Sequence, residues 1–185
     1  MNKRWNLFSA LALVLGAAWI ALSAAAPGSV TGGLTPAPRR GFLAPDLALE
    51  DSNGQLVRLS DLRGRPVLVN FWASWCPPCQ AEMPALQRVY DDYGEQGYVI
   101  LAVNTTFQDS EAEALAFIEE RGLTFPVLWD WDGDAARRYE VRSMPTSFFI
   151  DADGIIRDVV IGGPMSEGLL RAQAEQMLQQ MPQER

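Results

Sequence analysis

Val67-Leu68-Val69-Asn70-Phe71-Trp72-Ala73-Ser74-Trp75-Cys76-Pro77-Pro78-Cys79 is the stretch on which the reading of this chain turns. Apart from Asn70, its first six residues are apolar and bulky, the make-up of a strand buried on both faces. A helical pattern starts near Pro77. Proline is well suited there, because a first-turn N–H has no partner to lose and the ring already holds a helical φ. The two cysteines therefore fall where a strand hands over to the first turn of a helix. Free N–H groups and the positive end of the helix dipole favour a thiolate at that point. As a static cross-link, cysteines three apart would close almost no loop. The pair reads as a redox-active dithiol.

Outward from this pair, other chemistries drop away. The chain has two Cys and no His in 185 residues. Without His there is no Ser-His-Asp triad, no Cys-His nucleophile and no haem-His ligation, and a zinc site would need carboxylates for its remaining ligands. No dinucleotide fingerprint is present. The expectation is therefore no metal and no organic cofactor, the redox group being the Cys76-Cys79 disulfide itself.

The helix after the motif separates the two sulfurs. On a wheel of ~100° per residue, Cys79, Glu82, Met83, Leu86, Val89, Tyr90 and Tyr93 share one stripe, with Cys76 at its edge. Cys79 is predicted to point inward and Cys76 outward. Glu82 is then a carboxylate on the apolar face, one turn past Cys79. Burial would raise its pKa and make it a proton acceptor for the inner thiol. The competing reading is a glutamate that bends out to water. Pro84, inside the helix, removes one ladder bond and predicts a kink.

At this point the run from Asn70 to Cys79 resembles the active site of the thioredoxin superfamily, in particular its membrane-anchored TlpA/ResA-like thiol-disulfide oxidoreductases with a redoxin domain. The likeness extends from about Gly41 to the C-terminus. It implies an α/β fold, a thioredoxin-like mixed central sheet flanked by helices, with an N-terminal β-hairpin and an inserted strand and helix. It also implies roles. Cys76 is the attacking sulfur and Cys79 the resolving one. ResA-like proteins also place a Glu three residues after the second Cys, which makes Glu82 the proton relay. The buried Asp of thioredoxins is replaced here by Asn70, which cannot titrate. Pro145 is implied as the cis-proline facing the dithiol, with Met144, Trp75, Pro77 and Pro78 as the surface that meets a client. Exported proteins with disulfides, apocytochrome c among them, are the implied clients, and an upstream membrane thiol reductant the implied electron source. Three alternatives stay open. A redoxin-class thiol peroxidase would want a Thr ahead of its reactive Cys, where Trp72-Ala73-Ser74-Trp75 stands. A copper-handling module would want a His. A net disulfide oxidant is not excluded by Pro77-Pro78.

The remaining chain is consistent with this frame. Lys3 and Arg4 precede Trp5–Ala26, which carries no charge. This segment, residues 1–26, is expected to be a membrane anchor with its basic end inside, or a signal peptide cleaved after Ala24-Ala25-Ala26. Either places the domain outside the cytoplasm, where disulfides form. Residues 27–40, with Gly28, Gly32, Gly33, Pro36 and Pro38, read as a tether, and 41–185 as one domain. Beyond Arg4 there are 13 basic and 23 acidic residues, a net charge of −10, which speaks against nucleic acid as a partner.

Asp51-Ser52-Asn53-Gly54 predicts a hairpin between Leu47–Glu50 and Gln55–Leu59. Ser60–Gly64 reads as one helical turn and Tyr98–Asn104 as a buried strand. Ser110–Arg121 is a helix with apolar Ala114, Leu115, Phe117 and Ile118, stopped by Gly122. Phe125–Trp129 is a short strand and Asp132–Tyr139 a helical piece, with Trp129 and Trp131 as packing residues or the wall of a client groove. Ser147–Ile150 and Ile155–Ile161 flank an Asp153-Gly154 turn. A last helix, Ser166–Gln180, presents Leu169, Leu170, Ala174, Met177 and Leu178 to the sheet.

Overall fold

A computed structural model of the chain describes residues Thr35–Met181. The basic, apolar N-terminal segment and most of the tether lie outside the described residues. Among the described residues no helix is long and apolar enough to cross a membrane.

Seven strands form one mixed sheet: β1 (Ala48–Asp51), β2 (Leu56–Arg58), β3 (Val67–Trp72), β4 (Val99–Asn104), β5 (Val127–Trp129), β6 (Thr146–Ile150) and β7 (Ile156–Ile161), in the order β2-β1-β5-β4-β3-β6-β7. Four α-helices connect them: α1 (Pro77–Tyr93), α2 (Glu111–Arg121), α3 (Asp134–Arg138) and α4 (Glu167–Gln179). The central strand β3 runs parallel to β4 and antiparallel to β6, and all six of its residues are buried. That accounts for its nearly unbroken apolar run.

Alternation along β3 splits the core. Leu68 and Trp72 join the cluster under α1, α2 and α4, whereas Val67, Val69 and Phe71 join a second cluster with Leu59, Ala135, Ala136 and Tyr139. Asn70 has the parity of Leu68 and Trp72, so the polar residue of the central strand faces α1. The predicted hairpin is present and extends the same sheet, since β1 pairs with β5.

Two expectations need correction. The domain begins before Gly41: Pro36 bridges Leu43, and the Ala37 N–H donates to the Leu43 carbonyl at 3.0 Å. The last residues of the expected tether are therefore part of the folded body. Leu115 and Leu169 are exposed. Each lies about 100° around its helix from a buried neighbour, Ala114 or Leu170, and so falls off the stripe. Helix α1 runs as a single 17-residue element with Pro84 inside it.

Candidate active site

Cys76 and Cys79 are joined by a disulfide, their Cα atoms 5.2 Å apart. Cys76 is the N-cap of α1, with extended φ and ψ of −89° and 107°, and Pro77 and Pro78 fill the next two positions. The Cys79 N–H points at Cys76 Sγ, 3.3 Å away. The expected orientation holds only for Cys79, which is wholly buried. Cys76 is just 3% exposed, against 53% for Trp75. Cys76 lies before the helix and does not follow its wheel, and the disulfide draws its sulfur over the helix mouth. Its chain neighbours Trp75 and Pro77 are exposed and Pro78 is half-buried, as is Met144, whose sulfur Thr105 holds.

The loop carrying Cys76 is clamped from below by Asp109. One carboxylate oxygen accepts from the Ser74 N–H at 2.6 Å and from Asn104 Nδ2 at 2.7 Å. The other accepts from Ser74 Oγ at 2.6 Å and the Ser110 N–H at 2.8 Å. Gln80 Nε2 donates to the Ser74 carbonyl, and Trp75 Nε1 donates to the Gln108 carbonyl at 3.0 Å. Thr105 Oγ1 donates to the Met144 sulfur at 3.2 Å. The bonds of Ser74 to Asp109, Trp75 to Gln108 and Thr105 to Met144 each span more than 30 residues, and no local pattern announces Thr105 or Asp109.

The Met144–Pro145 peptide is cis, and Pro145 is buried. Gly163 connects Pro145 to Glu82. A Cβ at Gly163 would stand 2.6 Å from Pro145 Cγ and 2.9 Å from Glu82 Oε2, so only glycine lets the three approach.

Glu82 does not bend out to water; it is fully buried. Asn70 Nδ2 donates to its Oε1 at 2.8 Å and the Met165 N–H to its Oε2 at 3.0 Å. Asn70 Nδ2 also donates to Ser147 Oγ at 2.8 Å, across a pair of directly opposed residues on β3 and β6. Burial pushes the Glu82 carboxyl above its ordinary range, and the Met165 and Asn70 donors pull it part of the way back. Trp129 is packed into the core, so the packing reading holds for it; Trp131 is exposed beside it, ring centroids 6.0 Å apart.

A dithiol capping a helix, a cis X-Pro bond leading into β6 and a sheet ordered in this way define a thioredoxin-fold redox protein. Residues 41–159 match the AhpC/TSA family, and the chain belongs to it. Thiol-disulfide oxidoreductase ResA of Geobacillus kaustophilus is 40% identical over 131 residues, 71% of this chain and 74% of that protein. A Chlorobium tepidum structure assigned as a thiol:disulfide interchange protein DsbE superposes with a TM-score of 0.69 at 35% identity, covering 76% of this chain and 98% of that one. A secreted Mycobacterium tuberculosis disulfide oxidoreductase superposes with a TM-score of 0.63 at 27% identity, covering 70% and 95%. The protein is a thiol-disulfide oxidoreductase, and its substrates are disulfide-bearing molecules.

Proposed function

We propose that the chain reduces disulfides of exported proteins outside the cytoplasm, with the thiol supply of cytochrome c maturation as its expected setting. The observation that carries this reading is the buried Glu82 one turn behind Cys79, under a disulfide whose rim is open at Trp75 and Pro77. The Cys76 thiolate attacks one sulfur of a client disulfide, forming a mixed disulfide and releasing the other client sulfur as a thiolate. Cys79 passes its proton to Glu82 and attacks Cys76. The Cys76–client bond breaks, the client leaves as a thiolate that takes a proton from solvent, and the enzyme is left oxidised. Pro145, Met144, Pro77, Pro78 and Trp75 hold the client's extended segment during this exchange.

No metal or organic cofactor enters the cycle. An upstream membrane thiol donor returns two electrons to Cys76–Cys79. The export assignment draws on the uncharged Trp5–Ala26 segment and on the likeness to a secreted oxidoreductase. Equilibration of the Cys76–Cys79 pair with glutathione tests the direction. A potential near about −270 mV supports a reductant, and one near about −120 mV makes the chain an oxidant instead. Alkylation of Cys76 is expected to abolish reduction of insulin; unchanged turbidity would remove Cys76 from the chemistry.

A further inference from the structure

Three buried side-chain atoms among the described residues lack a hydrogen-bond partner, and one of them, Asn70 Oδ1, belongs to the network under the dithiol. A buried carbonyl oxygen with no donor is costly to keep, so its presence beside a proton acceptor asks for a reason. We infer that Asn70 is a positioning residue whose side-chain amide turns over by half a revolution as Glu82 gains and loses the proton of Cys79, donating to the carboxylate and accepting from the acid. This rests on the proton-relay role of Glu82 proposed above.

The geometry leaves few other ways to accommodate the proton. With Glu82 ionised, both protons of Asn70 Nδ2 are used, one on Glu82 Oε1 and one on Ser147 Oγ, each at 2.8 Å. Glu82 Oε2 is held by the Met165 backbone N–H, a donor that cannot reverse. The incoming proton therefore belongs on Oε1, where it would oppose the Nδ2 protons. Turning the amide replaces that donor with Oδ1, which accepts the acid's O–H. Ser147 Oγ changes from acceptor to donor, as a hydroxyl can, and bonds the same Oδ1. The two ends of an amide are nearly equal in size, so the turn needs no extra room. The orphan moves from Oδ1 to Nδ2, and each protonation state keeps its two contacts.

No charged side chain intervenes. Among the described residues, Glu82 meets Asn70 from β3 and Gly163 and Met165 from the loop before α4, with Pro145 on the other side of Gly163. Ser147 on β6 is reached only through Asn70. On its own helix Cys79 lies one turn back, and it is the one titratable group of the cluster besides Glu82 itself. An aspartate at position 70 would bring a second carboxylate to about hydrogen-bond distance, with one shared proton. A leucine would offer neither donor nor acceptor.

The test follows the Asn70 side-chain amide of the ¹⁵N-labelled full chain in detergent by NMR, assigned through its loss in Asn70→Leu. Both amide protons are expected to lose their hydrogen-bonded shifts together as the pH falls through the titration of Glu82. Glu82→Gln, whose own N–H₂ presents a donor like that of the acid, is expected to show the low-pH position at every pH. A resonance pair that stays fixed while Glu82 titrates overturns the inference, as does a Glu82→Gln spectrum matching the ionised wild type. A second readout is the pH profile of mixed-disulfide resolution. Asn70→Leu is expected to displace it upward by about one unit, a tenfold loss of rate on its acid side. A Glu82→Gln profile that does not move removes the relay itself. A profile that moves for Glu82→Gln and not for Asn70→Leu removes only the amide. Should Asn70→Leu fail to fold, the wild-type and Glu82→Gln spectra still decide, with Ser147→Ala supplying the profile.

Discussion

Glu82 and Asp130 are both wholly buried carboxylates, both accept two hydrogen bonds, and burial pushes both above their ordinary pKa values of 4.5 and 3.8. Their donors differ. Asp130 receives the backbone N–H groups of Ala135 at 3.1 Å and Ala136 at 2.9 Å, the unpaired donors at the start of α3. Glu82 receives one backbone N–H and one side-chain amide, and it sits behind a disulfide. Fixed donors on both oxygens make an anchor. A reversible donor on one oxygen makes a group that can take a proton without disturbing what surrounds it. Burial and a raised pKa alone do not separate the two cases; the identity of the donors does.

The largest expected departure is kinetic. Glu82→Gln should slow resolution of a mixed disulfide about 100-fold at neutral pH, measured by stopped-flow release of a client thiol. Asp130→Asn should leave that rate and its pH profile as in the wild type. Next comes stability. Asp130→Ala strips two helix-start N–H groups of their acceptor and should cost about 2 kcal/mol in urea unfolding, whereas Glu82→Gln should not destabilise at neutral pH. A third prediction concerns pH. Each raised carboxyl lets the folded state hold a proton that the unfolded chain has already released. Stability is then greatest below the ordinary carboxylate range and falls as the pH climbs from there through the folded pKa. The loss is up to about 1.4 kcal/mol per pH unit for each group. Glu82→Gln should remove one share of that slope and Asp130→Asn the other; equal slopes in wild type and variants would contradict the raised values. The smallest effect belongs to the rim. Trp75→Ala should slow exchange with a protein disulfide a few-fold and leave exchange with glutathione unchanged.

Much of this contrast was visible before any coordinates. The apolar run ending at Trp72, the capping prolines and the stripe through Cys79 and Glu82 placed the dithiol on a strand–helix junction and put a carboxylate beneath it. Local periodicity was enough, because all of these residues lie within one strand and one helix. It misled at Cys76, where the wheel was applied to a residue whose backbone is still extended. It was silent about Ser147, Gly163 and Asp109, which reach the site from segments far along the chain and meet it only through sheet register and loop closure. Asp130 carried no signal in the sequence, because the N–H groups it accepts become its neighbours only when α3 starts above it.

The two prolines after Cys76 carry one more consequence. A helix mouth commonly offers a sulfur several amides. Here the first two positions have none, and among the described residues the Cys79 N–H is the one donor directed at Cys76 Sγ. Its negative charge is thus thinly sheltered, which keeps the attacking electrons available and gives the reduced form little extra stabilisation. The electron-donating role proposed above is the one such a mouth fits.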